Sequence, residues 1–173
     1  MNDARKPVRR SLDAGSREAL ISLIREHRWG ALATLTDDGE PLASGVAYAL
    51  SPETDGFLLH LSRLAEHTRN LLSRPVAGLL IGEADPGGGD PQTLRRLSVH
   101  STVTALEADD PAYAAAREVY ISRFPQSEPR FGFADFELFF LKPTRAHYVG
   151  GFARAFALDA DTLAAVLRAC APG

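Results

Sequence analysis

The chain has a single cysteine, Cys170, in 173 residues, which rules out an intrachain disulfide and a cysteine-built zinc site. That usage fits a reducing cytoplasm. There is no basic excess: the formal net charge is −3, the wrong sign for a general nucleic-acid binder. No run approaches the roughly 20 apolar residues of a membrane span. "MNDARKPVRRSLD" is polar and basic, but no apolar stretch follows it, so it does not read as a secretory signal. The five histidines (His27, His60, His67, His100 and His147) show no HxxxH-type metal spacing. "PGGGD" lacks the Gly-Lys-Ser/Thr of a phosphate-binding loop, and Ser16, Ser44 and Ser62 lack a nucleophile-elbow context. No internal repeat and no second domain boundary is visible.

What is present is a folding composition. The chain is 45% hydrophobic, with nine Phe and four Tyr. We expect one domain over residues 14–173, behind a mobile arm of residues 1–13. "SREALISLIREHRWG" sets Leu20, Ile21, Ile24 and His27 at helical spacing, with Ser16 as N-cap and Gly30 as stop. Two alternating runs flank Asp38-Gly39, a strong hairpin signal. "GFLLHL", "VAGLLIGE" and the long alternating "LRRLSVHSTVTAL" read as further strands. Asp110-Pro111 opens a helix to about Phe124. "FELFFLKP" and "RAHYVGGFARAFAL" read as two strands, with a kink at Gly150-Gly151, and Asp159 or Asp161 starts a last helix. The helices do not alternate regularly with strands. The pattern therefore favours an α+β fold, an antiparallel barrel with flanking helices. Phe131, Phe133, Phe136, Phe139 and Phe140 suit a core or a subunit interface.

The chemistry gathers in "LSRLAEHTRNLLSRP". Ser62 ends a strand, and Arg63 and His67 share a face of the helix that follows. A helix start offers free N–H groups and a positive dipole end; with a hydroxyl and cations it can hold a phosphate. The alternative is a solvated face, in which Glu66, Arg69 and Asn70 make ordinary surface contacts.

The order of "DDGEPLASGVAY", "FLLHLS", "RLAEHTRNL", "VAGLLI", "LRRLSVHSTV" and "FELFFLKPTRAHYVGGFARA" resembles the FMN-binding split barrels of the pyridoxamine 5'-phosphate oxidase type. Within them it is most similar to the haem-utilisation branch. The resemblance runs from about Leu20 to Leu167. It implies an antiparallel split β-barrel and a homodimer, with FMN in a cleft at the subunit interface. His67 and Asn70 fall on the phosphate motif, and Ser62 and Arg63 on the turn lining it. Ser44 falls on the strand under the flavin ring, Arg96 and Ser98 on a strand facing the flavin, and Phe152 and Arg154 on the segment completing the cleft. The implied function is that of an FMN-dependent oxidoreductase of unnamed substrate. Two alternatives stay open: a haem-binding or haem-degrading protein of iron acquisition, and a non-catalytic flavin carrier or sensor.

Overall fold

The computed structural model describes residues 11–51 and 55–170. Most of the expected arm, residues 1–10, lies outside the described residues. Its last positions are tied down: Leu12 packs on the core and Asp13 caps the first helix. That helix, α1, spans Ala14–Glu26. Asp13, not Ser16, is its N-cap, because the Asp13 carboxylate accepts the Ser16 N–H at 2.8 Å. Ser16 sits inside the first turn, buried, and donates its hydroxyl to the same carboxylate at 3.0 Å.

The hairpin forms as the Asp-Gly signal requires. Strand β1 (Trp29–Leu35) pairs antiparallel with β2 (Pro41–Ala47), and Gly39 takes φ 83° in the turn. Gly30 belongs to β1 and does not stop α1, which ends at Glu26. Short β3 (Ala49–Ser51) pairs with β4 (Gly56–Ser62). Helix α2 (Glu66–Ser73) leads into β5 (Val76–Gly82), and β6 (Arg96–Leu106) follows. Helix α3 (Tyr113–Arg123) and a 3₁₀ segment (Pro125–Gly132) precede β7 (Phe136–Val149). A turn at Gly150-Gly151 leads to β8 (Ala155–Asp159) and α4 (Ala160–Ala169), capped by Asp159.

The eight strands form one antiparallel sheet in the order β2-β1-β5-β6-β7-β4-β3, with β8 also on β7. The expected break at Pro143 does not occur. One 14-residue strand runs through it, because the ladder slips between His100 and Ser101 and absorbs the irregularity as a bulge. The first half of β7 pairs with β4 and the second half with β8, so β7 belongs to both arms of the split barrel. The interior holds Leu32, Phe57, Leu79, Leu97, Phe139 and Tyr148, all at most 1% exposed. Helices α1 and α4 pack on this core, and the Tyr48 hydroxyl donates to the Ile24 carbonyl at 3.0 Å, tying α1 to the sheet. The phenylalanines split: Phe139 is core, while Phe133 is 54% exposed.

A second cluster sits under α3 and the 3₁₀ segment. His60 of β4 is buried there, stacked on Phe131 at 3.8 Å and edge-on to Tyr120 at 5.7 Å. Its Nδ1 has no partner. Burial, and secondarily the charge of Arg130, push its pKa down to about 4. The folded state therefore holds this imidazole neutral, while the unfolded chain protonates it below about pH 6.5. Stability is complete above pH 6.5 and falls as pH drops toward 4, by on the order of 3 kcal/mol from this group. His60→Phe should flatten that acid limb in urea denaturation between pH 7 and 4; an unchanged slope would assign the loss to other groups.

Candidate functional site

The mouth of α2 is more self-contained than its sequence suggests. The Ser62 hydroxyl donates to the Asp135 carboxylate at 2.6 Å and accepts the Leu64 N–H at 3.1 Å. The Arg63 guanidinium pairs with Glu137 at 2.5 Å. Asn70 is buried and donates to the Thr34 hydroxyl at 3.1 Å, joining α2 to β1. His67 is the exception: it is half-buried, and no hydrogen bond to its ring occurs among the described residues. Burial lowers its pKa. No side chain caps α2 at Ala65, so the first turn keeps its N–H groups free of side-chain acceptors. Asn70→Ala should cost about 1–3 kcal/mol in chemical denaturation, the penalty of leaving the Thr34 hydroxyl buried and unpaired. A loss below 0.5 kcal/mol, the scale of an ordinary surface change, would remove this tie.

The other expected residues are spread over both faces of the sheet. Ser44 pairs with Leu32 and so shares its inner face, half-buried. Ser98 pairs with the exposed Leu80 and lies on the outer face, as does Arg96, two residues back on β6. Arg96 donates to the carbonyls of Gln92 and Leu94 at 3.0 and 3.1 Å. Arg154 is bound to Asp13 at 3.0 Å and to the Ser16 hydroxyl at 2.7 Å, bracing the start of α1. Phe152 stands 86% exposed in the β7–β8 turn.

A different set converges on the outer face. There β1 presents Ala31 and Ala33, β5 presents Gly78 and Leu80, and β6 presents Ser98 and His100. The register aligns them in rows: Ala33–Gly78–His100–Arg145 and Ala31–Leu80–Ser98–His147. Along the first row lies a groove of about 610 Å³, lined by Ala33, Leu35, Gly78, His100, Ser101 and Arg145. Its floor is apolar and low. A Cβ on Gly78 would meet nothing nearer than the Ala33 Cβ at 3.5 Å, so chain packing does not demand glycine there. Burial, then the charges of Arg145 and His147, lower the His100 pKa, so the ring is neutral at pH 7. The Ser101 hydroxyl, buried at the bulge, has no partner. Among the described residues the Arg145 side chain makes no ion pair or hydrogen bond.

Sequence reading missed Gly78, Ser101 and Arg145 as site residues, and set His100 aside. The alternation of "LRRLSVHSTV" already placed Arg96, Ser98 and His100 on one face. Their cross-strand neighbours become known only from the register. A larger groove, about 1010 Å³, lies between α1, β3 and α3 and reaches Cys170. Burial pushes that thiol up to about 11, so it offers no thiolate at neutral pH. Among the described residues no three His, Cys, Asp or Glu side chains gather as a metal site. No helix there is long and apolar enough to cross a membrane.

The profile of the pyridoxamine 5'-phosphate oxidase family matches residues 16–150. The chain belongs to that family. Among its relatives is the chloroplastic heme oxygenase HOZ of Arabidopsis thaliana, 32% identical over 128 residues, covering 73% of this chain and 38% of HOZ. The heme oxygenase HutZ of Vibrio cholerae is 26% identical over 140 residues, covering 76% of this chain and 74% of HutZ. A heme binding protein from Mycobacterium smegmatis superposes with a TM-score of 0.77 at 30% identity, covering 91% of this chain and 62% of that one. The chain thus spans well under half of HOZ and under two thirds of the mycobacterial protein. Within the pyridoxamine 5'-phosphate oxidase family the resemblance to the haem-utilisation branch holds, and so does the antiparallel α+β split barrel.

Proposed function

We propose that this chain binds haem on the outer face of its sheet and acts in haem handling or haem breakdown. The observation that carries the reading is the groove at Gly78. A flat macrocycle needs an apolar shelf, a neutral nitrogen ligand for iron and a cation for its carboxylates. Ala33 and Gly78, His100 and Arg145 are those groups. The heme oxygenases among the relatives support the choice of haem over other flat ligands. When haem is bound, its iron supplies the redox chemistry; the chain supplies the shelf, the orientation and the charge.

The same face supports a homodimer as the working unit. Trp29 and Leu80 stand 65% and 41% exposed there, beside the groove, a patch that a second copy would cover while leaving the groove as a cleft at the subunit seam. FMN stays as the second reading. The observation favouring it is α2, whose uncapped start carries His67 with a ring free of hydrogen bonds. Titration of the purified protein with hemin and, separately, with FMN decides between them. The haem reading expects a saturating Soret shift with hemin. Quenching of flavin fluorescence without any hemin response would replace it with the flavin reading.

A further inference from the structure

We infer that His100 is the protein ligand of the haem iron and that Arg145 holds a haem carboxylate. This rests on the haem reading above and names the residues that would perform it. Of the five histidines, three are poorly placed. His60 is buried against Phe131 and Tyr120. His27 stands at the C-cap of α1 and does not line the groove. His67 stands on α2, away from the groove. His100 and His147 both reach the outer face, on neighbouring rows. Only His100 lines the groove, and its row continues onto Gly78 and Ala33, where a macrocycle could lie flat. His147 instead continues onto Ser98 and Leu80, where an exposed leucine occupies the shelf position.

The backbone under His100 is held in place. The Thr144 hydroxyl donates to the His100 carbonyl at 3.1 Å, and the bulge that follows fixes the direction of the side chain. The ring itself makes no hydrogen bond among the described residues, which leaves a nitrogen for iron. Arg145 is its direct cross-strand partner, and a planar guanidinium suits a carboxylate. Neither side chain makes a hydrogen bond or an ion pair among the described residues, so the pair adds nothing to the fold's own polar network. A ligand carrying both a metal and carboxylates would explain the pair.

The test compares wild-type protein with His100→Ala, His147→Ala and Arg145→Gln, each loaded with hemin. Two signals are read: quenching of the Trp29 fluorescence, which reports haem bound to the chain, and the absorption and electron paramagnetic spectra of the ferric iron, which report its ligand. All three positions are exposed, so circular dichroism should be unchanged. His100→Ala should lose the imidazole signature, bind hemin more than about tenfold more weakly, and regain the signature with added imidazole. His147→Ala should keep the wild-type spectra, and Arg145→Gln should bind several-fold more weakly with unchanged ligation. Wild-type spectra retained in His100→Ala, with quenching intact, would overturn the assignment while leaving the haem reading standing. No quenching and no Soret shift in the wild type would remove both.

Discussion

On the haem reading proposed above, Gly78→Val should abolish most hemin uptake without harming the fold. The valine side chain would stand on the apolar shelf between Ala33 and His100, where the proposed macrocycle would lie. Nothing in the chain opposes it, since its Cβ would find only ordinary contacts, the Ala33 Cβ at 3.5 Å and the Val99 carbonyl at 3.8 Å. Valine also suits a strand, whereas glycine in a strand interior weakens it. The melting temperature should therefore hold or rise, while hemin affinity falls by at least tenfold, about 1.4 kcal/mol. A Soret titration and a thermal melt on the same sample check both halves. Unchanged affinity in a stably folded variant would mean that the ligand does not use this shelf.

Gly30→Ala should do the opposite, destabilising the fold from the buried face of β1. A Cβ there would lie 2.5 Å from the Leu80 carbonyl oxygen and 3.2 Å from the Leu79 side chain. The first is backbone of a paired strand and cannot swing aside. Either β1 or β5 must move out of register, which also disturbs the Ala31–Leu80 pair beside it. Overpacking of this kind costs about 1–3 kcal/mol in side-chain cores, and a clash with backbone belongs at the upper end. Urea denaturation should show the midpoint falling with little change in slope. Wild-type stability would show that the two strands have slack that the close approach hides.

The two glycines lie in adjacent strands and look alike in the sequence. Gly30, one residue after Trp29, reads as the stop of a helix; Gly78, in "VAGLLIG", reads as one more small residue in an apolar strand. The difference between them is the distance to the neighbouring chain, and that distance depends on pairing between segments some 50 residues apart in sequence. Ser62 and Asn70 teach the same lesson. Both carry groups that a phosphate could use, and both have internal partners, Asp135 and Thr34, from distant segments. Such partners leave no local trace, because they meet only when α2 packs on β1 and the segment before β7 returns to the end of β4.

Local geometry accounts for the parts of this fold that alternation and turn residues encode. Alternation of apolar and polar residues placed the strands and gave "LRRLSVHSTV" an inner and an outer face, since successive side chains point opposite ways. Asp38-Gly39 set the hairpin, because glycine accepts the positive φ that its turn needs. Asp159 or Asp161 marked the start of the last helix, because a short carboxylate can accept the first free N–H groups, and the structure gives the cap to Asp159. The order of these pieces was enough for the family. Long-range pairing set the rest: β7 runs unbroken through Pro143, Thr144 beside it is the extra residue of a bulge, and His100 and Arg145 stand side by side next to Gly78. The groove is made by four strands, β1, β5, β6 and β7, and β1 joins the other three from far back in the chain. Its chemistry comes from which residues face each other, and that follows from how the whole sheet closes around its core.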